Sequence, residues 1–543
     1  MKQLSVVGGR WSVFIFIFSL IFSACTQSSN TKVGYDKTSQ PNYTSTSNSA
    51  SMNTSSAAME NKVMKEGFED ESANTEKYAE IDENPFLETA RAPLSTFSID
   101  VDTASYANVR RYLNDGNLPP KDAVRIEELI NYFEYDYPQP IGDAPFSVNT
   151  EVATTPWNAK HKIVSIGLQG KKVALEDTPP SNLVFLVDVS GSMNTSDRLP
   201  LVKQGLKFLA NQLSAKDRVA IVVYAGSSGL VLDSTNNRGE ILSAINNLEA
   251  GGSTNGGQGI QLAYRVALDN FIQDGNNRVI LATDGDFNVG LTGDNELVNL
   301  IEAKRRTGIF LSVLGFGTGN TNDSMMEKLA DKGNGNYTYI DSQEEARKAL
   351  GEQVAGTLYT IAKDVKIQVE FNPVKVAGYR LIGYENRLLA NRDFNDDKKD
   401  AGEIGAGHSV TALYEIVPAG QKIENDGVDD LRYSKVEPSD TKFNDELMTV
   451  KLRYKEPNET ESKLLTQGLL DRANTIETAS NNLRFASAVA EFGLLLRDSR
   501  YKASASFGNV NNLVENSLGS DLKNYRTDFL DLVRKAHRLK SLG

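Results

Sequence analysis

The chain has 543 residues, room for two to four domains at roughly 100–200 residues each. Forty per cent of its residues are apolar, enough for ordinary cores, and the net charge is −13. That acidic balance argues against a nucleic-acid binder, because phosphate contacts need clustered Lys and Arg. A single cysteine, Cys25, rules out an internal disulfide framework and a thiolate metal cluster. The three histidines, His161, His408 and His537, are far apart and mark no His-based site.

In chain order, Lys2 and Arg10 precede the apolar run 11-WSVFIFIFSLIFSA-24, which is shorter than the roughly 20 residues that span a bilayer. Charged start, short apolar core and small residues at Ser23 and Ala24 predict a secretory signal over 1–24. With Cys25 next, the stretch resembles the bacterial lipobox, although Phe22 stands where that motif carries Leu. The resemblance implies lipidation of Cys25 and attachment to a membrane by acyl burial. Residues 25–83, rich in Ser, Thr, Asn and Gln, predict a disordered membrane tether.

From 84 to 180 the sequence predicts two helices, 103–116 and 122–138, then the alternating strands 145–157 and 161–172. Asp100 and Asp102 alternate in 97-FSIDVD-102, readable as cation ligands or as strand alternation with Asp102 or Thr103 capping the next helix. From 181 to 361 the character changes. Continuously apolar strands at 183–188, 218–226, 278–284, 309–317 and 337–340 alternate with helices at 199–213, 238–248, 259–272, 295–307 and 343–361. That alternation predicts a doubly wound parallel sheet covered on both faces. Alternating strands return over 362–460, at 364–372, 409–417 and 446–455, and are expected to pair with those of 145–172. The fold class is therefore an α/β domain inserted in a β-rich domain. A helical region, 461–543, with helices at 481–498 and 521–540, ends the chain.

Three strand ends of the α/β unit carry matching groups. The first, 183-LVFLVDVSGSM-193, supplies Asp188, Ser190 and Ser192; a loop, 250-AGGSTNGG-257, carries Thr254; a third, 281-LATDGD-286, carries Asp284. Ligands of open α/β sheets bind at the carboxyl ends of strands, and an oxygen-only shell suits hard cations such as Mg²⁺, Mn²⁺ or Ca²⁺. The alternative is that the serines cap a helix while Asp284 ends a turn. D-x-S-x-S, a loop Thr and a later T-D-G resemble the metal-ion-dependent adhesion site of von Willebrand factor A (VWA) domains. The resemblance implies direct ligation of the cation, most readily Mg²⁺, by Ser190, Ser192 and Thr254, with Asp188 and Asp284 binding directly or through water. It further implies a partner whose Asp or Glu completes the coordination, and a final helix, 343–361, that shifts in relatives.

The flanking segments 97-FSIDVDTASYANVRRYLNDG-116 and 391-NRDFNDDKKDAGEIGAGHSVTALYEI-416 resemble those of YfbK-like bacterial VWA lipoproteins, a likeness running from Pro85 to the C-terminus. Asp393, Asn395 and Asp397 imitate the start of an EF-hand loop, but Lys398 stands at the glycine position and Ile404 where a bidentate Glu belongs, so an acidic hairpin loop is the better account. The expected function is a lipid-anchored, metal-dependent protein-binding module of the cell envelope, not an enzyme. Thr26 after Cys25 favours the outer membrane. The alternatives are a metal-dependent hydrolase, against which no base stands near the serines in sequence, and an assembly scaffold whose metal is structural.

Overall fold

The computed structural model describes residues 76–99, 102–252, 256–285, 294–319, 321–423, 445–472 and 474–542. The expected signal segment, Cys25, Asp100 and Thr254 lie outside the described residues. The buried run at 183–188 forms strand β1 (Ser181–Asp188), the centre of a six-stranded sheet. It is joined by β2 (Arg218–Tyr224), β3 (Ser228–Thr235), β4 (Asn276–Thr283), β5 (Ile309–Gly315) and β6 (Tyr337–Tyr339) in the order β6-β5-β4-β1-β2-β3. All neighbours are parallel except β3, which pairs antiparallel with β2. The expected strand 218–226 ends earlier: the Ala225 N–H donates to the Ser227 carbonyl and the chain doubles back as β3. Half-exposed Leu230 and Val231 hide this edge strand from a search for buried runs.

Alternate residues of β1 serve two cores, which is why the strand is apolar at every position. Leu183, Phe185 and Val187 pack with helices Leu199–Gln212 and Arg238–Asn246, while Val184 and Leu186 pack with Ile260, Tyr264, Met326 and Leu329 on the opposite face. Each such buried side chain contributes roughly 1.5–3 kcal/mol. A further helix at Asp323–Lys332, capped by the Asn322 side chain, was not expected.

The flanking segments build a sandwich. One sheet orders Leu87–Glu88, Val376–Ile382, Ser409–Pro418, Asn158–Gly170 and Phe146–Thr155; the other orders Gly402–Gly405, Thr360–Phe371, Glu446–Lys455 and Lys463–Leu470, with Leu94–Ser98 also on Thr360–Phe371. Phe97, Val164, Ile166, Ile367, Phe371 and Tyr414 fill the space between them. Ser409–Pro418 pairs with Asn158–Gly170, so strands from either side of the α/β unit share a sheet and the unit is an insertion. One turn fastens both ends of the insertion: the Gly407 N–H donates to the Lys171 carbonyl at 3.0 Å and the Ala406 N–H to the Tyr359 carbonyl at 2.8 Å.

A helical layer of Ala104–Asn114, Ile126–Asn131, Asn481–Arg497, Phe507–Glu515 and Tyr525–Leu542 packs around Tyr106, Phe133, Phe485, Phe492 and Phe529. The expected helix 122–138 is only a 3₁₀ turn, Lys121–Ala123, and the helix Ile126–Asn131. Beyond that helix Tyr132, Phe133 and Tyr135 are all buried in the aromatic core of this layer. Residues 76–83, expected within the tether, are ordered: the Glu76 carboxylate accepts from Arg111 and from the Gly319 N–H, and the Lys77 N–H donates to the Thr321 carbonyl.

Buried ion pairs bind the insertion to this body. Arg110 grips Asp341 through two nitrogens and reaches Glu345 at 2.7 Å, while Arg387 reaches Asp102, Glu327 and Asp331. Asp102, paired with Arg387, also accepts from the Tyr337 N–H, and Thr103 makes no side-chain cap. The expected helix 343–361 is broken into Gln343–Arg347, a π turn Lys348–Glu352 and Val354–Leu358, before Thr360 opens a strand. The wide turn brings Lys348, Ala349 and Leu350 inward together. The Lys348 ammonium donates to the Tyr132 carbonyl at 2.7 Å against the Tyr132 and Tyr525 rings.

Burial pushes the Lys348 pKa from 10.5 to about 7, against the pull of Glu345. Between those values the unfolded chain holds a proton that the folded chain lacks, so stability rises with pH across that window. The limiting slope is about 1.4 kcal/mol per pH unit. Urea unfolding from pH 7 to 10 should show this rise, and Lys348→Met should flatten it.

Candidate metal centre

The carboxyl ends of β1 and β4 lie side by side where the chain order of the sheet reverses, the place where open α/β sheets bind ligands. Asp188 is the last residue of β1 and Asp284 follows the last residue of β4, and both are fully buried. Behind Asp188 the chain turns sharply. The Ser190 N–H donates to Asp188 Oδ1 at 2.8 Å, and the Ser190 and Ser192 hydroxyls meet at 3.0 Å. Ser190 makes no side-chain cap on the following turn, and the helix at Leu199–Gln212 starts from Arg198, so the capping account of the serines does not hold.

The loop that leads to Thr254 is tied to the same turn. The Gly191 N–H donates to the Gly252 carbonyl at 3.0 Å, and the Gly251 N–H to the Val189 carbonyl at 2.7 Å. Gly252 has φ +97, open to glycine at little cost. Asp188, Ser190, Ser192 and Asp284 are therefore brought together.

Their chemistry fits a hard cation. Asp188 Oδ2 is buried and has no hydrogen bond of ordinary geometry. Burial, followed in smaller measure by the nearby Asp284 charge, lifts the Asp188 pKa to about 6 despite the Ser190 donors. The buried Tyr224 hydroxyl, itself without an ordinary hydrogen bond, adds a small opposing effect. An oxygen acceptor sealed from water without a donor is the condition that a divalent ion relieves. Among the described residues no three His, Cys, Asp or Glu side chains cluster as a metal cage.

One residue at the centre escaped the sequence reading. Arg198 donates through one guanidinium nitrogen to Asp284 Oδ2 at 2.8 Å and to the Ser192 carbonyl at 3.0 Å, and through the other to the Thr318 carbonyl at 2.8 Å. A signal was available: Arg198 is the N-cap of its helix, where Ser, Thr, Asp and Asn are preferred and a cation opposes the helix dipole.

The other candidates do not join the centre. In the acidic loop, Lys366 and Lys455 donate to the carbonyls of Asp396 and Asp397, Arg453 to Asn395, and the Ser462 N–H to Asp397. The histidines stay apart: His161 pairs with Glu415, His537 stacks on Phe507, and burial depresses the His408 pKa to about 4.

A doubly wound sheet with an antiparallel edge strand, carrying D-x-S-x-S and T-D-G at adjacent strand ends, defines a VWA domain; residues 182–353 match the family described as von Willebrand factor type A domain. Residues 72–165 match the family von Willebrand factor, and residues 356–539 match Uncharacterized protein YfbK, C-terminal. Uncharacterized protein YfbK of Escherichia coli (strain K12) is 44% identical over 478 residues, covering 85% of this chain and 81% of that protein. The chain belongs to the YfbK family. A UPF0353 protein of Mycolicibacterium gilvum is 26% identical over 200 residues, 32% of this chain and 60% of that protein. A solved structure, von Willebrand factor type A from Catenulispora acidiphila, is 16% identical with a TM-score of 0.39, covering 71% of this chain and 90% of that one. A VWA domain points in general to protein–protein interaction or metal-dependent binding.

Gly285 explains the glycine of T-D-G. Its φ is +88, and a Cβ there would meet the Asn322 backbone nitrogen at 2.8 Å. Gly285→Ala should destabilise the metal-free protein by about 1–3 kcal/mol, measured by urea unfolding.

Proposed function

We propose that the chain is a divalent-cation-dependent protein-binding module of the bacterial cell envelope. Asp188, Ser190, Ser192, Thr254 and Asp284 would hold Mg²⁺, or Mn²⁺ or Ca²⁺ in its place. The cation would supply an open coordination position for an Asp or Glu of a partner protein. Two carboxylates and neutral hydroxyls leave the ion net positive, which suits it to attract such an anion. The observation that carries this reading is the buried, unpartnered Asp188 Oδ2 at the strand end where two serine hydroxyls and Asp284 converge.

Attachment to a membrane through a lipid on Cys25 follows from the short apolar run and the small residues before that cysteine. Thr26, in place of Asp, favours the outer membrane, facing the periplasm or the cell surface. Binding is preferred over catalysis. Ser190 and Ser192 bond to each other, and the described histidines lie elsewhere.

A pull-down from envelope extracts tests the reading. Capture of a partner in Mg²⁺ should be lost in EDTA and lost in Asp188→Ala. Binding that ignores both treatments would sink it. Peptide or ester turnover abolished by Asp188→Ala would favour a hydrolase, and retained binding with a large fall in melting temperature would make the metal structural.

A further inference from the structure

Arg198 stands at the metal centre in a position that its place in the sequence does not favour. It opens the helix Leu199–Gln212, where a positive side chain meets the positive end of the helix dipole. Its guanidinium is nonetheless mostly buried, with 12% of the side chain exposed, against a fully buried Asp284. Among the described residues, three acceptors hold it: Asp284 Oδ2, the Ser192 carbonyl and the Thr318 carbonyl. Two of them, Ser192 and Asp284, belong to residues of the candidate cation shell.

The third acceptor is itself fastened. Thr318 lies in the loop after β5, whose Gly319 N–H donates to Glu76 and whose Thr321 carbonyl accepts from the Lys77 N–H. Gly317 in that loop has φ +75 and lies under the Arg198 side chain, where a Cβ would overlap the guanidinium stem. The loop is thus shaped to seat this side chain.

Arg198 brings a guanidinium charge to the site. Asp188 and Asp284 together bring two buried carboxylates to the site, and Arg198 is placed on one of them. A divalent cation entering the hydroxyl shell would come within a few ångströms of that fixed positive charge and compete with it for Asp284.

We propose that Arg198 is an intramolecular lock on the metal centre: its guanidinium, seated on the Ser192 and Thr318 carbonyls, neutralises Asp284 in the metal-free chain and must release it for a divalent cation to bind tightly. The inference rests on the metal reading of this site. Its consequence is a centre that is stable without metal and loads only when cation binding outweighs the loss of the Arg198–Asp284 pair. Arg198 is a positioning residue here, acting on the ion through Asp284.

Calorimetric titration of MnCl₂ into the full chain tests it. Arg198→Gln should bind Mn²⁺ at least about tenfold more tightly than the parent, while its metal-free form melts at a lower temperature. Arg198→Lys, which keeps the charge without the fork, should gain about two- to fivefold and serves if the Gln variant does not fold. Asp188→Ala should bind none. Unchanged or weaker Mn²⁺ affinity in the Arg198 variants, with binding still abolished by Asp188→Ala, overturns the lock and leaves the metal centre standing. Failure of both the parent and the Arg198 variants to bind Mn²⁺ overturns the metal reading and the lock with it.

Discussion

Two carboxylates, Asp188 and Asp284, are buried at the ends of adjacent parallel strands, and such a pair requires positive charge close by. Much of the surrounding geometry answers that need. The turn after β1 aims the Ser190 N–H at Asp188, and the helix after it starts with an arginine instead of a cap so that a guanidinium reaches Asp284. Asp188 Oδ2 still lacks an ordinary donor, and burial holds that carboxyl well above its usual range. VWA domains often bind a divalent cation at such a strand end, and in this chain the Arg198 guanidinium lies against one of the two carboxylates.

The rest of the chain holds the strand ends in register. Both junctions of the inserted unit are stitched to the same Gly405–His408 turn, so the unit cannot swing freely from its body. Arg110, Arg125 and Arg387 then tie it down through Asp341, Glu345, Glu327 and Asp331. Lys348 is drawn into the aromatic helical layer by a π turn in the unit's last helix. The unit's last helical segment, which the resemblance leads one to expect to shift, is therefore tied to the helical layer. Any movement of it would have to disturb a buried lysine and a buried arginine network.

Legibility in the sequence followed how strongly each segment's burial was imprinted on it. Strands buried on both faces, such as 183–188, were plain because every position is apolar. The edge strand Ser228–Thr235 was not, since Leu230 and Val231 are half-exposed and its polar neighbours read as loop. The helix ending at Asn131 was overextended because Tyr132, Phe133 and Tyr135 have helical propensity enough, and only the aromatic core shows that all three must be buried. At the centre, Asp188, Ser190, Ser192 and Asp284 were readable because each follows a buried strand at fixed spacing. Arg198 was not, because its role depends on a carbonyl at Thr318, remote in sequence.

By itself the sequence determined the class of fold, the insertion, and the strand ends that carry oxygen, since these follow from local periodicity and from polar groups that end apolar runs. Only the tertiary structure decided where the charges are balanced. Lys366 and Lys455 are held on backbone carbonyls of the acidic loop at 393–407, Asp102 pairs with Arg387, and Asp284 with Arg198. Each of these pairings joins residues brought close only by folding, and electrostatic energy depends on distance in space, which no local pattern records.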